Sequence, residues 1–140
     1  MIIIFDFNRT IYDPETDACV PGVGAVLAEL FARGETLHLV SRREPGREGV
    51  LASLDVEHFF TSVSFLDEKE TAIRRIIQAA NETVYVVGDH LHDEIRIGNR
   101  LGARTVWLRR GKFAGLMPEM DEDVPWRTIE DIREVLRSIA

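Results

Sequence analysis

A small set of side chains in this sequence has the type and placement to do chemistry together. Asp6 stops the apolar run Met1-Ile-Ile-Ile-Phe5, with Asn8 and Thr10 following at two-residue steps. Ser41 closes Thr36-Leu-His-Leu-Val40 in the same way, and Gly88-Asp89 closes Thr83-Val-Tyr-Val-Val87, with Asp93 four residues beyond. An acid delivered by a buried strand to the carboxyl edge of a sheet stands where open α/β sheets do their chemistry. Flanked by small polar groups able to meet a phosphate, it is suited to be a carboxylate nucleophile or a metal ligand. Two aspartates four apart at a strand-to-helix junction can project into one site. Lys69 falls in a first helical turn, where a cation opposes the helix dipole. It is there either to meet an anion or as a solvated surface lysine.

The elements that must position these groups alternate strand and helix, the pattern of a parallel sheet. After the first strand, the polar run within residues 11–20, containing Asp13-Pro14, predicts a small hairpin over Asp6. Pro21-Gly22 opens a helix whose Val23, Val26, Leu27, Leu30 and Phe31 follow core spacing, with Gly34 placed to end it. Pro45 to Leu54 reads as a short helix and Ser62 to Leu66 as the third strand. Asp67-x-x-Glu70 has capping-box spacing before Ile73, Ile76, Ile77 and Ala80. A helix with Ile95, Ile97 and Leu101 follows the Asp89 loop, and Arg104 to Leu108 is the fifth strand. Residues 109–123 read as a long loop with one helical turn. Thr128-x-x-Asp131 then starts a last helix, with Ile129, Ile132, Val135, Leu136 and Ile139 inward.

Bulk properties limit the options. At 140 residues, 45% hydrophobic, the chain has material for one ordinary core, so a single domain over 1–140 is expected. A net charge of -7 argues against broad binding to nucleic acid or an anionic membrane. One cysteine, Cys19, excludes an internal disulfide framework and a multi-cysteine metal site, and fits a reducing cytoplasm. The apolar start is too short to span a membrane and lacks a signal peptide's basic region, so it reads as a mature strand. His38, His58, Cys19, Trp107 and Trp126 are assigned to packing.

Asp6-Phe-Asn8-Arg-Thr10, Ser41 after a strand, Lys69 at a helix start and Gly88-Asp89-x-x-x-Asp93 resemble, in order and context, the four motifs of the haloacid dehalogenase-like (HAD) superfamily. The resemblance spans nearly the whole chain. It implies a Rossmann-like three-layer α/β/α sandwich around a mainly parallel five- or six-stranded sheet, and a phosphatase working through an aspartyl-phosphate. By that resemblance Asp6 is the nucleophile, while Asp6, Asp89 and the main-chain oxygen of Asn8 hold Mg²⁺. Asp93 is an additional or outer ligand, Ser41 and Lys69 grip the phosphoryl oxygens, and Thr10 fixes the turn.

One departure stands out. Phosphatases of this family carry a second aspartate two residues after the nucleophile, as proton donor and then base, where this chain has Asn8. Positioned proton transfer is worth ~10² to 10⁴ in rate. The expectation is therefore a slow enzyme that favours good leaving groups, with His90 and His92 as the nearest substitute donors. The rival reading is a weakened, regulatory phosphate- or metal-binding module. A phosphoacceptor receiver domain is disfavoured, because its aspartate would end the third strand, where Asp67 reads as a helix cap. Only 35 residues separate Asp6 from Ser41 and 28 separate Ser41 from Lys69, so neither gap holds a cap domain. An uncapped member resembles those acting on exposed phosphates of larger molecules, or those closed by a second copy of the chain. Arg42, Arg43, Arg109, Arg110 and Lys112 either rim that site or are solvated surface cations.

Overall fold

The computed structural model describes residues 1–139. Its centre is a parallel sheet of strands in the order β5-β4-β1-β6-β7-β8. These are β1 (Ile2–Phe5), β4 (Thr36–Arg42), β5 (Ser62–Leu66), β6 (Val84–Gly88), β7 (Arg104–Leu108) and β8 (Arg127–Ile129), while β2 (Tyr12–Asp13) and β3 (Ala18–Cys19) form the small hairpin. Side chains alternate across the central strand, as the pleat requires. Ile3 and Phe5 face the core shared with Val23, Val26, Leu27 and Leu30 of α1 (Val23–Ala32), Leu51 of α2 (Arg47–Ser53) and Val135 of α5 (Val135–Ser138). Ile4 faces the opposite core, with Ala72 and Ile73 of α3 (Glu70–Ala79) and Ile97 of α4 (Arg96–Arg100). Helices on both faces make the three layers. Each fully buried side chain of this size stabilises by roughly 1.5–3 kcal/mol, which is how β1, apolar on both faces, fixes the position of the acid that follows it.

Three details differ from the expectations. Phe31 is 53% exposed. At 100° per residue it lies about 80° around the helix from Val23, so it leaves the core stripe and packs edge-on against Phe59. Asp67 caps nothing. It is exposed and pairs with Arg43 at 3.6 Å, and the helix starts only at Glu70 with Lys69 in the capping position without a side-chain cap. Thr128 likewise starts no helix. Arg127–Ile129, with its β-branched pair, joins the sheet as β8 beside β7. The capping box forms three residues later, where Asp131 accepts from Arg133 N–H and Glu134 accepts from Asp131 N–H. The long loop holds two short 3-10 turns, Gly111–Phe113 and Asp121–Asp123. Among the described residues no helix is long and apolar enough to cross a membrane.

Candidate active site

Register brings the strand ends together. Phe5 of β1 lies opposite Leu39 of β4 and Val87 of β6, and Asp6 N–H donates to Val87 O at 3.0 Å. Asp6, Ser41 and Asp89 therefore emerge side by side at one edge, and all three are buried. After Phe7 the chain turns sharply. Its oxygen accepts from the N–H of Thr10, Ile11 and Tyr12, and Arg9 is held at φ 61, a left-handed conformation that side chains other than glycine, asparagine and aspartate resist. Thr10 is buried in this turn through its main-chain bond, while its hydroxyl makes none.

Lys69 reaches in from the start of α3 and is 4% exposed. Its Nζ lies 2.9 Å from Asp6, 2.7 Å from Glu94 and 3.1 Å from Asp93. Burial works against its charge, but Asp6, Glu94 and Asp93 outweigh it and hold the ammonium well above its ordinary pKa. Glu94 is 2% exposed and also accepts from His90 N–H at 2.7 Å. It folds back over the end of β6, where a Cβ on Gly88 would collide with its side chain. Trp107 braces the neighbouring turn by donating to Asp89 O at 2.9 Å.

Asp6, Asp89 and Glu94 each offer an oxygen within 4.8 Å of the others. Burial, then Glu94 and Asp6, push the Asp89 carboxyl up to about 10. Burial and Asp6 push Glu94 up to about 7. Asp89 Oδ2 is buried without a hydrogen-bond partner among the described residues. Three crowded carboxylates, one with an orphaned oxygen, are the donor set that suits a hard divalent cation. Asp93 sits differently. Besides Lys69 it takes a two-pronged hydrogen bond from Arg42, 3.0 Å at each oxygen, and these cations outweigh burial to hold it below the usual carboxylate range.

These groups line one cleft of about 530 Å³, together with Asn8, Arg9, Ser41, Glu44, His90, His92, Lys112 and Phe113. Its depth is acidic around Lys69, at the carboxyl ends of adjacent parallel strands. A family model described as HAD-hydrolase-like matches residues 69–135, the segment carrying Lys69, Asp89, Asp93 and Glu94. A glyceraldehyde 3-phosphate phosphatase of Methanopyrus kandleri is 38% identical over 96 residues, 61% of this chain and 41% of that protein. Over residues 69–135 the chain is similar to haloacid dehalogenase-like hydrolases.

The chain spans about two-fifths of the length of that curated relative. The fold likeness extends over nearly the whole chain. A Clostridium difficile protein superposes with TM-score 0.81 at 13% identity, covering 99% of this chain and 98% of that one. A D,D-heptose bisphosphate phosphatase from B. bronchiseptica, solved with magnesium and phosphate, gives 0.73 at 16%, covering 99% and 97%. The path from Asp6 to Ser41 holds only the β2–β3 hairpin and α1, and the path from Ser41 to Lys69 only α2, a 3-10 turn and β5, so neither carries an inserted domain.

Every strand-end residue picked from the sequence lies in this cleft, and Asn8 turns out to be fully engaged. Its Nδ2 donates to Glu44 at 2.9 Å and its Oδ1 accepts from Arg47 at 3.0 Å, while Glu44 and Arg47 pair with each other at 3.0 Å. An amide suits a place between a carboxylate and a guanidinium, because its nitrogen donates to the one and its oxygen accepts from the other. The histidines are less free than the sequence suggests. His92 Nε2 lies 2.8 Å from Met117 O, and burial lowers the His90 pKa, so a neutral His90 accepting from His92 N–H is a poor acid. Of the cations expected at the rim, Arg42 and Lys112 line the cleft, whereas Arg43, Arg109 and Arg110 pair with Asp67, Glu130 and Asp13. Glu94, Glu44, Arg9 and Phe113 were missed. Only Glu94 had a signal, an acid one step beyond Asp93 in the same turn.

Proposed function

We propose that the chain is a Mg²⁺-dependent phosphohydrolase that works through an aspartyl-phosphate on Asp6. The observation that carries this reading is the buried Asp6–Asp89–Glu94 cluster, with the orphaned Asp89 oxygen, facing Lys69 in one open cleft. Asp6, Asp89, Glu94 and the main-chain oxygen of Asn8 would hold the metal. Once bound, Mg²⁺ supplies positive charge that offsets repulsion between a carboxylate and a phosphate dianion.

The chain's own groups do the rest. Asp6 Oδ attacks phosphorus as the ester P–O bond breaks, and the leaving group takes the bonding electrons. Lys69 and Ser41 offer an ammonium and a hydroxyl to the phosphoryl oxygens as charge shifts onto them. Water then replaces Asp6 at phosphorus, releasing inorganic phosphate and regenerating the carboxylate. With an amide at position 8 the leaving oxygen departs without a proton from that side, so acyl and aryl phosphates are turned over well above alkyl phosphates. Lacking a cap, the cleft admits a phosphate on a larger molecule, or is closed by a second copy of the chain.

The test is Mg²⁺-dependent release of phosphate from acetyl phosphate, p-nitrophenyl phosphate and an alkyl phosphate by wild type and Asp6→Asn. Hydrolysis of the first two that disappears in Asp6→Asn supports the proposal. Equal rates on all three would remove the leaving-group argument, and activity that survives Asp6→Asn would remove the nucleophile. The complete engagement of Asn8 by Glu44 and Arg47 favours one alternative, a phosphate-binding regulatory module. Tight Mg²⁺-dependent phosphate binding with no turnover of acetyl phosphate would select it.

A further inference from the structure

The outer half of the cleft is not accounted for by the transferring phosphoryl group. Its floor is acidic, but its mouth carries Arg9, Lys112 and the ring of Phe113. The Arg9 guanidinium lies 5.4 Å from the ring centroid and Lys112 Nζ also 5.4 Å, while the His90 ring packs against the same phenyl group at 4.2 Å. Arg42, the other cation at the rim, is consumed by Asp93. Lys112 has no ion-pair partner among the described residues, and Arg9 pairs only with Glu15, at 3.2 Å. Two cations against one carboxylate leave the mouth net positive in a chain whose overall charge is -7.

The backbone supports a reason for Arg9. A residue at φ 61 in a tight turn would ordinarily be glycine or asparagine, and a long side chain is held there against the preference of its own backbone. That conformation carries the side chain beside Phe113, where Gly111, itself at φ 74, comes within 3.8 Å of Arg9 Cδ once a Cβ is added. Strain held at a cleft mouth is a recurring sign of a side chain that does something there.

We infer that Arg9 and Lys112, spaced by the Phe113 ring, bind a second anionic group of the substrate, so that the substrate class is a small phosphate monoester bearing a further carboxylate or phosphate. This rests on the reading of the acidic floor as the phosphoryl site. Arg9 offers a planar fork to either anion and Lys112 a point charge. The Phe113 ring gives the connecting carbon chain an apolar surface to lie on.

The test compares three series of two to six carbons: ω-carboxyalkyl phosphates, alkane α,ω-bisphosphates and ω-hydroxyalkyl phosphates. Binding to Asp6→Asn with Mg²⁺ is read by calorimetry, and turnover by wild type is read in parallel. At the best chain length the doubly anionic compounds should bind about tenfold more tightly than the hydroxyl series, the equivalent of one charge-assisted contact. Carboxylate and bisphosphate arms show which anion fits. Adding Arg9→Asn, which suits the left-handed backbone, or Lys112→Gln should shrink the preference below threefold. Equal binding of the three series, or a preference that survives both substitutions, overturns the inference. Because binding is read apart from turnover, a protein that binds by charge yet hydrolyses nothing would refute the phosphatase reading alone.

Discussion

Two charged clusters flank the same turn, and their contrast shows how a site differs from a brace. On one side Asp6, Asp89 and Glu94 crowd around Lys69. On the other His92, Glu119 and Asp123 also lie within metal-ligand reach of one another. The second set is saturated. Arg96 grips Asp123 at 2.6 and 2.9 Å, the N–H of Glu119 adds a bond at 2.8 Å, and Arg96 also reaches Glu119 at 3.2 Å. Arg96 foremost, helped by that N–H, holds the Asp123 carboxyl down at about 2. In the first set, burial and mutual repulsion push Asp89 and Glu94 up, and one oxygen has no partner. Residue types and distances are alike in the two clusters. What separates them is whether the charges are already answered.

The largest test of this contrast is turnover. Asp6→Asn should reduce phosphate release by at least ~10³ if a covalent nucleophile is lost, while Asp123→Asn should stay within about twofold, since neither Asp123 nor its partner Arg96 lines the cleft. Comparable losses would erase the distinction. Next comes position 8, at the lip of the first cluster. Asn8→Asp alone would set a carboxylate against Glu44 and should gain less than about tenfold on alkyl phosphates, whereas Asn8→Asp with Glu44→Gln should gain up to ~10². A full gain from the single substitution would show that Glu44 imposes no constraint.

Stability should invert the ranking. Asp123→Asn leaves Arg96 without its main partner and should cost about 2–3 kcal/mol in urea unfolding, whereas Asp89→Asn should raise stability in EDTA by relieving the crowding. The remaining effects are in pH dependence, and they have opposite signs. Asp89, raised to about 10, holds more protons folded than unfolded above about pH 4, so metal-free protein should lose stability as pH rises through that window. Saturating Mg²⁺ should flatten that slope. Asp123, at about 2, holds fewer protons folded, so its contribution is present above about pH 4 and is lost as pH falls toward 2. Thermal melts across pH with Mg²⁺ or EDTA read both slopes, and a single slope unaffected by Mg²⁺ would break the comparison.

The sheet and the strand-end residues were legible because both follow from local pattern. Apolar runs that stop at Asp6, Ser41 and Gly88-Asp89 state where strands end, and parallel strands place those ends on one edge. What stayed hidden depends on partners distant in sequence. Asp67 has the spacing of a cap, but Lys69, drawn into the acid cluster 63 residues from Asp6, sets where the helix begins. Asn8 reads as a missing acid until Glu44 and Arg47, 36 and 39 residues away, are seen holding both ends of its amide. Thr128 looked like a helix start because edge strands as short as β8 carry too few residues to show a period. Asp123 offered no signal at all, since its value lies in Arg96.

Gly88 has a further meaning when the chain is considered as something that can vary. The side chain of Glu94 fills the space that a Cβ at position 88 would take, so the two positions compete for one small volume. A larger residue at 88 is compatible with the fold only if the acid at 94 is shortened or moved, and moving it withdraws an oxygen from the buried cluster. Substitutions at the two positions are therefore non-additive: a change at 88 that would be harsh beside glutamate becomes mild beside alanine, at the expense of the chemistry. A glycine at the end of β6 and a glutamate at 94 are thus one steric solution, and neither position can be exchanged freely without regard to the other.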